Sequence, residues 1–282
     1  MALEIASLNS GSNGNCYYVG NSNEAVLIDA GISCRETERR LKSLGLSVQK
    51  VKAIFISHEH SDHIRGVEVL SRKHKIPVYI TSATLNSCYL SLDGSLVRIF
   101  KDHQTITIGS IQVLPFSKKH DAADPYSFLV EEDEITVGVI TDIGVACENV
   151  IRHFKNCHAA FLESNYDEDM LENGDYPYHL KRRIRSGHGH LSNKQALELF
   201  MNHRSEKLSH LFLSHLSQHN NDPQLVYDLF KEHAGDVHVA IASRYEAGKV
   251  YVIGNNDAKS ILMNVQEKKQ LTLFAYVQNT EF

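Results

Sequence analysis

Cysteine is sparse and unpatterned in this chain: five residues in 282 (Cys16, Cys34, Cys88, Cys147 and Cys157), never spaced as C-x-x-C. That excludes a disulfide framework or a thiolate zinc cage, and it fits free thiols in a reducing compartment, so a cytoplasmic location is expected. No run of about 18 apolar residues occurs, so no membrane-spanning helix and no membrane partner are expected. The opening MALEIASLNS lacks the basic and apolar regions of a secretory signal. No repeat, low-complexity tract or Pro/Gly/Ser-rich linker divides the chain. A net charge of −5 gives no general pull toward nucleic acid, so any basic surface must be local. With 42% apolar and 22% charged residues, the composition is that of a globular protein.

What is present is a succession of short β-rich runs. LEIASL, CYYV, EAVLIDA, VKAIFIS and IPVYIT come first, then IQVLPF, YSFLVE, ITVGVITD, HAAFLES, HLFLSH and VHVAIA. Helices with clear start signals lie between several of them. Ser33 and Glu36 open one as an S-x-x-E capping box that stops at Gly45. Ser192 and Gln195 open a second, and Asp222 followed by Pro223 opens a third. Early hairpins followed by strand–helix alternation predict an α/β sandwich, with two sheets inside and helices outside. We read 1–282 as a single domain, with 255–282 either extra strands or an attached tail.

The densest chemistry is FISHEHSDHIRG, where His58, His60, Asp62 and His63 follow directly on an apolar strand. A metal needs several donors held rigidly on one point, and a strand end launches them from a fixed place. His58 and His60, two apart in an extended turn, can reach one side together. Imidazole and carboxylate suit zinc, manganese or iron. The alternative is a solvated loop that happens to be rich in histidine, but H-x-H-x-D-H straight after a strand is too specific for that.

HEHSDH resembles the H-x-H-x-D-H pattern of the metallo-β-lactamase superfamily. SGSNGNC, KKHDAADPYSF, TDIG, ESNYD and GHLSN resemble its YycJ/WalJ-like branch, bacterial proteins viewed as metal-dependent nucleases acting on DNA. The resemblance implies an αβ/βα four-layer sandwich with two mixed sheets and a two-metal site at their edge. It assigns His58, His60 and His120 to one ion and Asp62, His63 and His215 to the other, with Asp142 bridging. Asp29, ending the strand of AVLIDAG, is implied to orient the histidine loop without touching metal. Among the late histidines, His215 stands just past LFLS, whereas His210 begins that strand and reads as structural, and His219 as a loop residue.

Two divalent ions (zinc or manganese, iron being a further option) about 3.5–4 Å apart would activate a bridging hydroxide and clamp both oxygens of an in-line displacement. That chemistry suits phosphodiesters but also thioesters, lactones and β-lactams, so the surroundings must choose. Lys181, Arg182, Arg183 and Arg185 form a basic run able to pair with phosphate, or a solvated helix face balancing the acidic segment before it. Asn13, in a turn whose Asn-Gly pair predicts a tight hairpin, stands where the resemblance puts the rim of the site, and its backbone N–H groups could hold an anion. His190 in GHLSN is implied to protonate the leaving oxygen or to bond a phosphate oxygen, and otherwise packs ahead of the Ser192 cap. The expectation is a two-metal phosphodiester hydrolase, foremost a DNA exonuclease with Asp62 and His190 catalytic. A thioester or lactone hydrolase of the same fold is the enzymatic alternative, and a non-cutting, metal-stabilised DNA-end-binding module the alternative of another class.

Overall fold

The computed structural model describes residues 2–254. The possible extra strands or tail at 255–282 lie outside the described residues. Chain order builds one sheet and then the other. The first holds β1 (Ala2–Asn9), β2 (Cys16–Gly20), β3 (Ala25–Ile28), β4 (Val51–Phe55), β5 (Val78–Ile80) and β6 (Val97–Ile99) as successive neighbours. The second holds β7 (Ile106–Ile108), β8 (Ile111–Ser117), β9 (Tyr126–Glu132), β10 (Ile135–Ile140), β11 (Ala159–Glu163), β12 (His210–Ser214) and β13 (His238–Ile241), again in order. The chain then returns to the first sheet as β14 (Tyr251–Gly254), antiparallel to β1.

The parallel pairs β3–β4–β5–β6 and β10–β11–β12–β13 require crossovers, and helices supply them. On the first sheet these are α1 (Cys34–Ser43), α2 (Ser61–Ile64), α3 (Val67–His74) and α4 (Ser82–Asn86). On the second they are α5 (Glu148–Phe154), α6 (Glu168–Asn173), α7 (Tyr178–Ile184), α8 (Asn193–His203) and α9 (Pro223–Lys231). Three apolar clusters make the four layers cohere. Tyr17, Phe55, Phe128, Phe161 and Phe212 pack between the sheets. Phe154, Phe200 and Phe230 seat helices on the second sheet, and Leu41, Val67 and Leu70 seat helices on the first. None of the helices among the described residues is long and apolar enough to cross a membrane.

The start signals are realised with one difference. Ser192 and Gln195 form the full reciprocal capping box, and the Asp222 carboxylate accepts from Gln224 N and Leu225 N. Ser33 caps Glu36 N, but the Glu36 carboxylate turns outward to Arg39 and Arg40 instead of back to the cap. The expected tight Asn-Gly hairpin is instead a six-residue connection between β1 and β2. Its Asn15 side chain accepts from Gly11 N at 3.0 Å, folding the turn around a buried amide. The β6, β7 and β14 strands are three or four residues long, too short for their alternation to stand out in the sequence.

Each sheet runs through three antiparallel pairings and then three parallel ones, so β3 and β10 occupy corresponding places. Both end in Asp-x-Gly, Asp29-Ala-Gly31 and Asp142-Ile-Gly144. Asp29 has φ 61°, Asp142 φ 53°, and His215, after β12, φ 57°. L-residues seldom adopt this region, and holding it costs about 1–3 kcal/mol each. Here it swings three buried polar side chains off strand ends toward one edge of the sandwich.

Candidate metal centre

The candidate metal ligands and the carboxylates that orient them leave the carboxyl ends of strands. Asp29 follows β3, His58 to His63 follow β4, His120 follows β8, Asp142 follows β10, Glu163 ends β11 and His215 follows β12. Their turns interlock through backbone: Asn15 N donates to Asp62 O at 2.7 Å and Ala30 N to His63 O at 2.9 Å. Gly31 makes this contact possible, because a Cβ there would lie 1.6 Å from Asp62 O. The H-x-H-x-D-H loop is thus clamped between the turns that follow β1 and β3.

Within this edge the donor atoms of His58, His60 and His120 lie mutually within 4.8 Å, as do those of Asp62, His63 and His215. Nearest spacings are 3.0 Å from His58 Nε2 to His60 Nδ1, 3.4 Å from His63 Nε2 to Asp62 Oδ2, and 3.5 Å from His215 Nε2 to the same oxygen. Asp142 spans both sets: Oδ2 is 3.3 Å from His63 Nε2, while Oδ1 is 3.5 Å from His215 Nε2 and 3.9 Å from His120 Nε2. Donors bound to one ion at about 2.0–2.1 Å sit roughly 3.4 Å apart along a tetrahedral edge, the spacing seen here. His120 Nε2 and Asp142 Oδ2 are also buried without a hydrogen-bond partner, as expected of atoms that wait for a cation. The donor set therefore fits divalent metal.

The surroundings fix which ring nitrogen faces inward. Asp29 accepts from Ser57 N and Ser57 Oγ, each at 2.8 Å, and from His63 Nδ1 at 2.7 Å. Ser57 Oγ, already donating to Asp29, can only accept from His58 Nδ1 at 2.9 Å. His120 Nδ1 donates to Gly189 O at 2.9 Å, and His215 Nδ1 lies 3.0 Å from Glu163 Oε1. Four imidazoles consequently turn Nε2 toward the centre, the atom each would offer to a metal.

Electrostatics divide the two sets. Burial presses His58 well below its ordinary value and His120 down to about 4, so both are neutral, the form that ligates. Burial also opposes charge on His63 and His215, but the surrounding carboxylates outweigh it: Asp142, Asp29 and Asp62 raise His63, and Asp142, Asp62 and Glu163 push His215 to about 10. Burial resists ionisation of Asp62 and Asp142 too, yet the imidazoles win and both stay well below the usual carboxylate range. Negative field is concentrated on the Asp62 side, where a cation has most to gain.

His190, from the loop before α8, reaches the same edge. Its Nδ1 is 2.7 Å from Glu163 Oε1, and its ring lies tilted against His120 and His215 with centroids at 5.1 and 5.2 Å. Glu163, the last residue of β11, stands in ESNYD as a lone acid whose role its local sequence does not mark. It is fully buried, accepts from Ile143 N at 2.6 Å, and holds two histidines on one oxygen. Asn15 and Asn165 were also missed: Asn15 Nδ2 donates to Asp62 Oδ2 at 3.1 Å, and Asn165 Nδ2 to His215 O at 2.7 Å. Lys118 is buried beneath the centre and donates to Thr141 O at 2.7 Å, bracing the residue before Asp142.

Two of the four charges in the basic run are ion-paired: Arg185 with Glu172 at 2.8 Å and Arg183 with Asp121, whereas Lys181 Nζ donates to the backbone carbonyl of Glu172 at 2.5 Å. Arg182 lies exposed on α7. Asn13 is exposed at the rim and donates to Arg244 O at 2.9 Å. His210 sits at the opposite end of β12, stacked on Phe212, and His219 lies 5.9 Å from the Tyr176 ring.

Comparison with known proteins agrees with this architecture. A family model described as "Beta-lactamase superfamily domain" matches residues 24–215. The chain is 37% identical over 229 residues to the Exodeoxyribonuclease YycJ of Bacillus anthracis, covering 80% of this chain and 86% of that protein. It is 35% identical over 232 residues to the Exodeoxyribonuclease WalJ of Streptococcus pneumoniae serotype 2, with the same coverage. Among solved structures, the metallo-β-lactamase fold protein YhfI from Bacillus subtilis superposes with TM-score 0.67 at 16% identity, covering 88% of this chain and 99% of that one.

Proposed function

The chain belongs to the metallo-β-lactamase superfamily, and from that premise we propose that it is a two-metal phosphodiester hydrolase acting on DNA as an exonuclease. The observation that carries this reading is the pair of donor sets sharing Asp142, with the His190–Glu163 pair beside them. His58, His60 and His120 would hold one divalent ion, and Asp62, His63 and His215 the other. Bound there, the ions supply Lewis acidity and lower the pKa of a water. Asp29, through Ser57 and His63, keeps the histidine loop in its ligating orientation. Glu163 is held to about 2, burial opposing and His190 and His215 outweighing it, so it is an anion at neutral pH. It accepts a hydrogen bond from His190 Nδ1 and so fixes the ring with Nε2 as the atom placed to deliver a proton to a leaving oxygen. The names of the two curated relatives favour DNA over RNA and removal from an end over internal cutting.

The test is a substrate panel for metal-loaded protein: end-labelled duplex DNA, single strands, RNA and an acyl thioester. We expect stepwise shortening of DNA that chelator abolishes. Asp62→Ala should lose cutting with part of its metal retained. Thioester turnover with all nucleic acids intact would overturn the assignment, and metal-dependent DNA binding without any product would recast the protein as a binding module.

A further inference from the structure

Two arginines outside the basic run converge on the turn that borders the Asp62 side of the centre. Arg65 follows α2, at the end of the H-x-H-x-D-H loop, and its Nη1 donates to Asn13 O at 3.3 Å. Arg244 comes from the connection between β13 and β14, beyond the matched region 24–215, and its Nη2 donates to Ser12 Oγ at 3.4 Å. Its Nη1 is shielded from solvent and has no hydrogen-bond partner. Neither guanidinium has a carboxylate within ion-pair range among the described residues, whereas Arg39, Arg40, Arg183 and Arg185 each have one. The turn they straddle is tied to the metal ligands: Ser10 Oγ accepts from His215 N at 2.7 Å, and Asn15 contacts Asp62.

A fixed guanidinium with a spare donor and no carboxylate is matched by a phosphate oxyanion, which the fork can take with two parallel bonds. We propose that Arg65 and Arg244 form a phosphate clamp over the 10–14 turn, gripping a nucleic-acid phosphate next to the one being cut. This rests on the phosphodiester reading above and identifies which charges on this face carry substrate. The clamp takes either a backbone phosphate or a terminal one, and the two are distinguished by end chemistry. Arg183 and Arg185 of the basic run, paired with Asp121 and Glu172, contribute less.

The experiment measures KM, kcat and the salt dependence of binding for metal-loaded parent, Arg65→Gln, Arg244→Gln and the double variant. Substrates are single-stranded oligonucleotides bearing a 5′-phosphate, a 5′-hydroxyl or a 3′-phosphate, and binding is measured with a phosphorothioate-backbone oligonucleotide. Each single variant should weaken binding about tenfold, the worth of one charge-assisted contact, with the loss in KM. The slope of log affinity against log salt should fall by about 0.7 per arginine removed. Arg244→Lys should keep the salt slope while recovering only part of the affinity. A defect restricted to one phosphorylated end places a terminal phosphate in the clamp, and an equal defect on all three places a backbone phosphate there. Unaltered KM and salt slope in a double variant with parental metal content and melting temperature would overturn the clamp. A parent that neither binds nor cuts nucleic acid would instead overturn the phosphodiester reading.

Discussion

Asp29 is the side chain on which the most geometry depends, because one carboxylate sets the protonated nitrogen of His63 directly and that of His58 through Ser57. Asp29→Asn keeps size and turn but replaces one acceptor oxygen with a donor facing other donors. Metal affinity should fall about 10–100-fold, measured by competition with a chromogenic chelator, with the fold intact by circular dichroism. His190 makes the opposite prediction. His190→Ala should retain the metal of the parent while kcat on DNA drops about 10²–10⁴-fold, because it removes a proton donor and no ligand. Parental kcat in that variant would remove the acid role. Glu163→Gln disturbs both neighbours on its Oε1, so lost metal and lost turnover should appear together.

Among the elements, the interlocking of turns matters more than any one helix. Gly31 lets the turn after β3 touch the H-x-H-x-D-H loop, and Gly31→Ala puts a methyl where Asp62 O stands. The expected result is a protein that binds metal poorly even though no ligand has changed, read by elemental analysis of the dialysed variant. This scale also explains what was legible beforehand. His58, His60, Asp62 and His63 are local in sequence and follow a strand, so their grouping shows in the letters. Capping residues Ser192, Gln195 and Asp222 are local too. Glu163 is a lone acid after a strand, indistinguishable in sequence from an acid that only makes a turn, and its partners lie 27 and 52 positions away. The run on α7 reads in sequence as either a phosphate-pairing surface or a face balancing the acidic segment before it. Glu172 of that segment does pair with Arg185, but Asp121, the partner of Arg183, is 62 positions earlier and carries no local signal. Arg65 and Arg244 carry no sequence signal of their own, since what marks them is the shared turn and the missing carboxylate.

Taken whole, the described fold is two similar half-sandwiches whose strand ends meet at one edge, with Asp-x-Gly after both β3 and β10. Its interior also sets an acid limit away from the centre. Burial first, then the neighbouring His238, lowers the His210 pKa from 6.5 to about 4. The unfolded chain therefore takes up a proton between about pH 6.5 and 4 that the folded protein refuses. Stability is fully present above that window and falls as pH drops through it. In His210→Phe, chemical denaturation of metal-free protein at pH 8 and pH 5 should show a smaller difference in unfolding free energy than in the parent. An equal difference would place the acid sensitivity elsewhere.

The central claim is that these strand ends enclose two divalent ions joined by one carboxylate. Anomalous diffraction from crystals of metal-loaded protein, collected on either side of the metal absorption edge, tests it most directly. Two peaks are expected, one among His58, His60 and His120, the other among Asp62, His63 and His215, with Asp142 touching both. No peak at that edge, or density that leaves Asp142 without a metal, would contradict the account.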